Sequence, residues 1–376
     1  MKGKMLVIGQ YPDEEAAKDG MMQRVLEMDD ILRETYSITY LDISFKSYWL
    51  KSKKNIRHQD SSVCIWRLNM FLHQTTIFGL LLKSNVVYVH SVMNYFLALP
   101  ALTTTKCPTF LDIHGIVPEE YVFSGKKFKG FLYSIAEYFA FKKSKYFIAV
   151  TRAMREHYLS KYRGLSSEKF IVLPIFDKSE IGPKEDVSIF LANTVNEDRD
   201  LTVVYAGGTQ AWQNIDYMVN FALAFQNVFK FRFYVPSKAT KDIVEKFESG
   251  KVVVGSLPKH ELMNRYRECG MGFLLRDDIA VNRVASPTKF SEYVNSYIVP
   301  VMFDKNVGDI EYYGYSIVEF NDLIALQVPG GDDLRAIAVE NKKIYDTVYM
   351  LDVSNSYKIL IDRLNAFSSD NANSTI

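Results

Sequence analysis

Residues 286–303 read SPTKFSEYVNSYIVPVMF, and the way this stretch is read decides the fold. Its first half has the spacing of a short helix, expected over 289–296. Its second half, 298–303, is an apolar run that reads as a strand. Pro287 suits the first turn of a helix and Ser286 the cap before it. A helix that runs directly into a wholly apolar strand is one half of an alternating α/β unit, with the strand covered on both faces. Lys289 and Glu292 sit on the opening turns. They are either a solvated i,i+3 pair on a capped surface helix, or groups aimed at a ligand, because a helix N-terminus offers free N–H groups and partial positive charge.

Outward from this unit, the same alternation fills the chain. The runs KMLVIG, SITYLDIS, NVVYVHS, TFLDIHG, KYFIAVT and KFIVLPIF precede a charged stretch at 178–200 that carries Gly182 and Pro183 and reads as a linker. Beyond it the pattern restarts with LTVVYAGG, FKFRFYVP, KVVVGS, MGFLLR, IVPVMF and YSIVEF. The chain has 376 residues, too many for one ordinary core. The reading is therefore α/β, with two Rossmann-like, doubly wound parallel-sheet domains facing across a crevice. The expected divisions are 1–182 and 183–352, followed by a terminal helix from 353 that packs back on the first domain, and a disordered tail.

Composition excludes several classes. With 45 basic and 44 acidic residues, the chain lacks the charge of a nucleic-acid binder. Cys64, Cys107 and Cys269 form no CxxC or zinc pattern and read as buried thiols of a reducing compartment. The start is no signal peptide and no apolar run is long enough for a membrane span, so a cytoplasmic location is expected. No P-loop, GxGxxG fingerprint or GxSxG elbow occurs. No HxxxH and no clustered Asp/His set points to a metal.

Ligands of open parallel sheets bind beyond the carboxyl ends of the strands. Gly9 and the loop ending at Gly20 stand there, as do His90, His114 with Gly115, Gly207, Gly208, Thr209 and Gln210, and Arg276 with Asp277 and Asp278. The double glycine is either a phosphate-approaching loop or an ordinary tight turn. His114 is either a donor to a ligand hydroxyl or a satisfied structural imidazole. The segment 123–147 interleaves six lysines with nine Phe or Tyr. It suits an anionic membrane surface, or else is an amphipathic helix whose rings pack on the sheet while its lysines are solvated.

Taken in order, VIGQYPDEEAAKDGMMQRV, DIHG, FIAVTRAMREHY, VVYAGGTQAWQNID, VVVGSLPKHELMNRYRECGMGFLLR and SPTKFSEYVNSYIVPV resemble the retaining group 1 glycosyltransferases of GT-B architecture, along nearly the whole chain. The resemblance implies transfer of a sugar from a nucleotide-diphosphate sugar to a glycan or lipid-linked acceptor, of the kind used in capsule or lipopolysaccharide assembly. It implies no metal and no cofactor beyond the donor substrate. Gly20 then approaches the donor phosphate, His114 contacts the sugar, and Gly207, Gly208, Thr209 and Gln210 line the donor side. Ser286, Pro287, Thr288 and Lys289 face phosphate, and Glu292 takes the ribose hydroxyls.

Departures accompany the resemblance. Val284 stands where the family has the first of two glutamates, with Asp277 or Asp278 as the candidate replacement. The family's Arg and Lys are missing from GGTQAWQN, leaving Arg276 and Lys289 to neutralise the pyrophosphate. The glycine before the PV strand is missing as well. These gaps keep two alternatives open: a non-catalytic glycosyltransferase-like partner subunit, and a nucleotide-sugar 2-epimerase. The basic-aromatic segment is expected near the inner membrane face.

Overall fold

The computed structural model describes residues 2–12, 20–57, 62–175, 197–247 and 252–368. The chain divides into two compact units, Met1–Lys178 with Val353–Ile376, and Ser179–Asp352. Each is built on one sheet.

In the first unit the strands are β1 (Gly3–Ile8), β2 (Tyr36–Ser44), β3 (Ser52–Arg57), β4 (Ser62–Asn69), β5 (Val86–His90), β6 (Thr109–Ile113), β7 (Tyr146–Ala149) and β8 (Phe170–Val172). They lie in the order β3-β4-β2-β1-β5-β6-β7-β8. All neighbours are parallel except β3, which runs antiparallel to β4 at the edge. The central strands are buried along their length, β5 and β6 completely, which is why they read as continuous apolar runs. The edge strand SKKNIR has no such run, and neither β3 nor β4 is among the strands read from sequence.

The terminal helix Met350–Ser368 packs on this sheet. Tyr36 Oη donates to the Leu364 carbonyl at 2.5 Å, the Phe367 ring meets Phe110, and the Arg363 guanidinium lies 4.5 Å from the centre of the Tyr146 ring. The expected tail, apart from Ser368, lies outside the described residues. So does most of the expected linker, whose last four residues form the helical turn Glu197–Asp200.

The second unit holds β9 (Thr202–Ala206), β10 (Lys230–Tyr234), β11 (Val252–Gly255), β12 (Met271–Phe273), β13 (Val299–Met302) and β14 (Val318–Glu319), in the order β11-β10-β9-β12-β13-β14. Its pairings are parallel throughout. Buried phenylalanines, Phe221, Phe231, Phe273 and Phe320, meet edge-on or stacked between sheet and helices.

Strand order reverses between β1 and β5 in the first sheet and between β9 and β12 in the second. Two crossovers that leave in opposite directions open a gap at such a point, just beyond the carboxyl ends. Each sheet places its chemistry there.

Candidate functional site

At the carboxyl edge of the first sheet, parallel pairing sets His90 opposite Asp112. His114 follows two residues after Asp112, on the same side of the backbone. His90 Nδ1 lies 3.5 Å and His114 Nε2 3.3 Å from Asp112 Oδ2, and the two ring nitrogens are 3.3 Å apart. Arg24, buried in the helix Gly20–Thr35, donates Nε to Asp112 Oδ2 and Nη2 to Oδ1, both at 3.3 Å, and Nη1 to the Pro174 carbonyl at 3.1 Å.

Burial alone would raise the Asp112 carboxyl, but Arg24 and then the two imidazoles hold it well below the usual carboxylate range. Burial pushes His90 down to about 4, against the pull of Asp112. At neutral pH the cluster is therefore an ion pair flanked by a neutral His90 imidazole.

This corrects the reading that no Asp/His set is clustered. The three residues are 22 and 2 apart in sequence, and only the β5–β6 register brings His90 in. Their ligand atoms lie within 4.8 Å of one another, the spacing a metal site needs. Arg24 already holds both oxygens of Asp112, and its positive charge opposes a second cation there. Glu120 is next to this edge, its carboxylate packed where a side chain on Gly115 would have to go.

At the carboxyl edge of the second sheet, Gly207 and Gly208 follow β9. The Tyr205 hydroxyl donates to the Gly208 carbonyl, and a Cβ on Gly207 would stand 2.9 Å from that hydroxyl. Gln210 folds its amide against Gly208. Thr209 and Gln210 are exposed, a short 3-10 turn Ala211–Gln213 follows, and Asn214 enters the helix Ile215–Phe225 in the left-handed conformation, φ 55°.

Arg276 follows β12, next to β9. Its Nη1 donates to Asn282 Oδ1 at 3.1 Å, a neutral partner, while Nε is buried with no hydrogen-bond partner among the described residues. Burial lowers the pKa of its guanidinium, and the Tyr205 ring beside it acts in the opposite direction. The structure thus brings Arg276 and the double-glycine loop together through Tyr205.

Asp277 and Asp278 are exposed. Asp278 is bound by Arg283, with Nη2 to Oδ2 at 2.8 Å, and this bond lowers its carboxyl. The Asp277 carbonyl accepts from Asn282 Nδ2 at 3.0 Å, which leaves its side chain outward.

The opening stretch forms the helix Thr288–Asn295. The cap is a correction: Pro287, not Ser286, stands at the cap, without a side-chain hydrogen bond, so the first-turn N–H groups have no side-chain cap. Lys289 Nζ donates to Glu292 Oε2 at 2.7 Å, and Tyr266 Oη donates to the same oxygen at 3.1 Å. Glu292 is only 5% exposed, so the pair is not the solvated one that i,i+3 spacing also allowed.

Tyr293 anchors this helix over the strand reversal. Its hydroxyl accepts from Ala206 N and donates to the Phe273 carbonyl, both at 3.3 Å. Its ring lies 2.7 Å from where a Cβ on Gly272 would sit, so β12 needs glycine there. Tyr297 ends the helix at φ 56°, in the place where the resembled family has glycine.

The segment 123–147 resolves into the end of the helix Val117–Phe123, the helix Lys127–Lys143 and β7. Gly130, Ala136, Glu137, Ala140 and Phe141 face inward. Phe128, Phe131, Ile135 and Tyr138 are 74%, 62%, 38% and 50% exposed. The reading in which the aromatic residues pack on the sheet holds only for one side of this helix. Among the described residues, no helix is long and apolar enough to cross a membrane.

No protein-family model and no curated protein matches the chain. Among solved structures it is similar to Anabaena Alr3699/HepE in complex with UDP and glucose, at 11% identity and TM-score 0.66, over 97% of this chain and 100% of that one. It is also similar to sucrose-phosphate synthase from Thermosynechococcus elongatus, at 10% identity and TM-score 0.67, over 97% and 100%. A third is TarM, at 17% identity and TM-score 0.56, over 80% of this chain and 58% of that one. These likenesses establish the fold alone: two units of GT-B type, each on a mainly parallel sheet.

Proposed function

We propose that the protein is a glycosyltransferase that moves a sugar from a nucleotide-diphosphate sugar to a glycan or lipid-linked acceptor in cell-surface polysaccharide synthesis. Arg276 carries this reading. It is a half-buried cation at the strand reversal of the second sheet, beside a double glycine, and its hydrogen-bonded side-chain partner among the described residues is a neutral amide. Such a group calls for an anion, and the diphosphate of a donor supplies one. HepE, similar along its whole length, is the protein whose structures hold UDP and UDP-glucose.

In this account Gly207 and Gly208 let the diphosphate approach the backbone. The helix starting at Thr288, with no side-chain cap, turns its N–H groups toward it. Lys289 holds one oxygen of Glu292, and the carboxylate serves the ribose hydroxyls. Arg276 and Lys289 then stabilise the nucleotide diphosphate as it departs, which removes the need for a metal. His114, oriented by Asp112, meets a hydroxyl of the sugar. Asp277 replaces the family's first glutamate, since Asp278 is already answered by Arg283. Retention at the anomeric carbon follows from the family resemblance. The exposed row Phe128, Phe131, Ile135 and Tyr138, flanked by lysines, suits peripheral contact with the inner membrane face.

The test is thermal-shift binding of UDP, GDP, ADP and CMP to the wild type and to Glu292→Ala. At a hundred times the dissociation constant, a bound nucleotide adds about 2.7 kcal/mol of stability. One nucleotide is expected to raise Tm in the wild type and to lose most of that effect in the variant. No shift with any nucleotide would leave a non-catalytic partner subunit as the better account.

A further inference from the structure

A second exposed apolar surface lies at the carboxyl ends of β2 and β4, apart from the helix Lys127–Lys143. Phe45, Trp49 and Leu50 on one loop are 52%, 68% and 86% exposed, and Phe71 and Leu72 on the adjoining loop 61% and 55%. The Phe45 and Phe71 rings meet edge-on at 5.2 Å, so the two loops that carry these five exposed side chains adjoin as one tip.

The tip is built, not slack. Ser44 Oγ accepts from the Ser47 amide at 2.9 Å. Buried Asn69 ties the loops together, its Nδ2 donating to the Ser47 carbonyl at 2.9 Å while its Oδ1 accepts from the Phe71 amide at 3.0 Å. Tyr48 takes the left-handed conformation, φ 62°, and its hydroxyl donates to Asp42 at 2.8 Å. Tyr48 thus fixes the turn that leads into the exposed Trp49 and Leu50.

Charge identifies the occupant. From Ile43 to Arg57 there are five basic residues and no acidic one, and Lys46, Lys51, Lys53 and Lys54 are all exposed. Protein interfaces are depleted in lysine, whereas lysine beside Trp and Leu suits a headgroup boundary. Area points the same way. At about 200 Å² per large side chain the tip offers roughly 600 Å², short of the ~800 Å² per partner of a stable interface.

We propose that this tip inserts into the surface of an anionic lipid bilayer, with Trp49 and Leu50 entering the acyl boundary and the lysines staying among the headgroups. The proposal does not depend on which reaction the protein catalyses.

The full chain is sedimented with phosphatidylcholine vesicles, with and without phosphatidylglycerol. Wild type is expected to bind the anionic vesicles, and Trp49→Ser/Leu50→Ser to lose at least about tenfold in partitioning while melting like wild type. Phe128→Ser/Phe131→Ser, on the other surface, separates the two contacts. Lipids brominated on the acyl chain should quench wild-type fluorescence, and Trp49→Phe should remove that quenching but keep the binding. Equal binding by wild type and the Trp49/Leu50 variant, or none by wild type, overturns the proposal. So does a dimer in solution that the same two substitutions dissociate, because it would make a second copy the occupant.

Discussion

Two arginines, Arg24 and Arg276, stand at the carboxyl edges of the two sheets in opposite electrical circumstances. Arg24 meets both oxygens of an ionised Asp112 and a backbone carbonyl, so its charge is answered inside the chain. Among the described residues, Arg276 has a neutral amide and a bare Nε. The first arrangement serves the fold, because it keeps a buried carboxylate ionised and orients two imidazoles. The second leaves a charge for something outside the chain to answer. Both are arginines near a sheet edge, so residue type and position alone do not separate structure from function. Their partners do.

The contrast breaks most visibly in stability. Arg24→Met strands a buried carboxylate and is expected to cost about 3–5 kcal/mol in urea unfolding. Arg276→Met, which removes a half-buried cation that has no acidic partner among the described residues, should leave the unfolding midpoint unchanged or raised. An equal loss in both variants would end the distinction.

The pH dependence of the first edge follows in size. His90 stays neutral in the folded chain down to about pH 4, while an unfolded imidazole protonates near 6.5. Between these values the unfolded chain binds more protons, so stability falls as pH is lowered through this window, by up to about 3 kcal/mol. His90→Gln should flatten the profile there. Asp112, held well below its usual value, adds a further loss only below about pH 4. Identical profiles in wild type and His90→Gln would mean that the imidazole is not held neutral by burial.

At the second edge the expected effects are on binding. Loss of a charge-assisted hydrogen bond is worth about 1.5–3 kcal/mol, so Arg276→Met should weaken nucleoside diphosphate binding roughly tenfold to a hundredfold by calorimetry. The smallest effect belongs to Asp278→Ala, whose partner Arg283 is also exposed. No change in Tm is expected there, whereas Asp277→Ala should lower transfer from the donor at unchanged Tm. Equal activity in the two variants would return the choice between these acids to open.

Much of this was legible in the chain. The buried strands announce themselves as apolar runs, while the order in which they pair, and hence the reversal points, is visible only in the structure. Strand β3 escaped because the edge strand SKKNIR is solvated and carries no apolar run, whereas β4, SVCIWRLN, alternates and went unread although its pattern was there. The Arg24–Asp112–His90 meeting escaped because it joins segments separated by 88 and 22 residues through strand register. The cap of the helix Thr288–Asn295 was displaced by one residue, within the ordinary ambiguity of helix ends. Tyr297 shows why a missing glycine did not exclude the fold: a non-glycine residue holds the left-handed position at a cost of about 1–2 kcal/mol. The tip formed by Phe45, Trp49, Leu50, Phe71 and Leu72 gave no sequence signal of its own, since only the pairing of β2 with β4 brings its two loops together.

The central claim is that the second sheet keeps a positive charge for a diphosphate. Calorimetric titration of UDP against UMP, and of the same pair for the other bases, into wild type and Arg276→Met tests it most directly. For one base the diphosphate is expected to bind at least about tenfold more tightly than the monophosphate, and this preference to vanish in the variant. A diphosphate preference that survives Arg276→Met, or equal binding of both nucleotides to wild type, would contradict it.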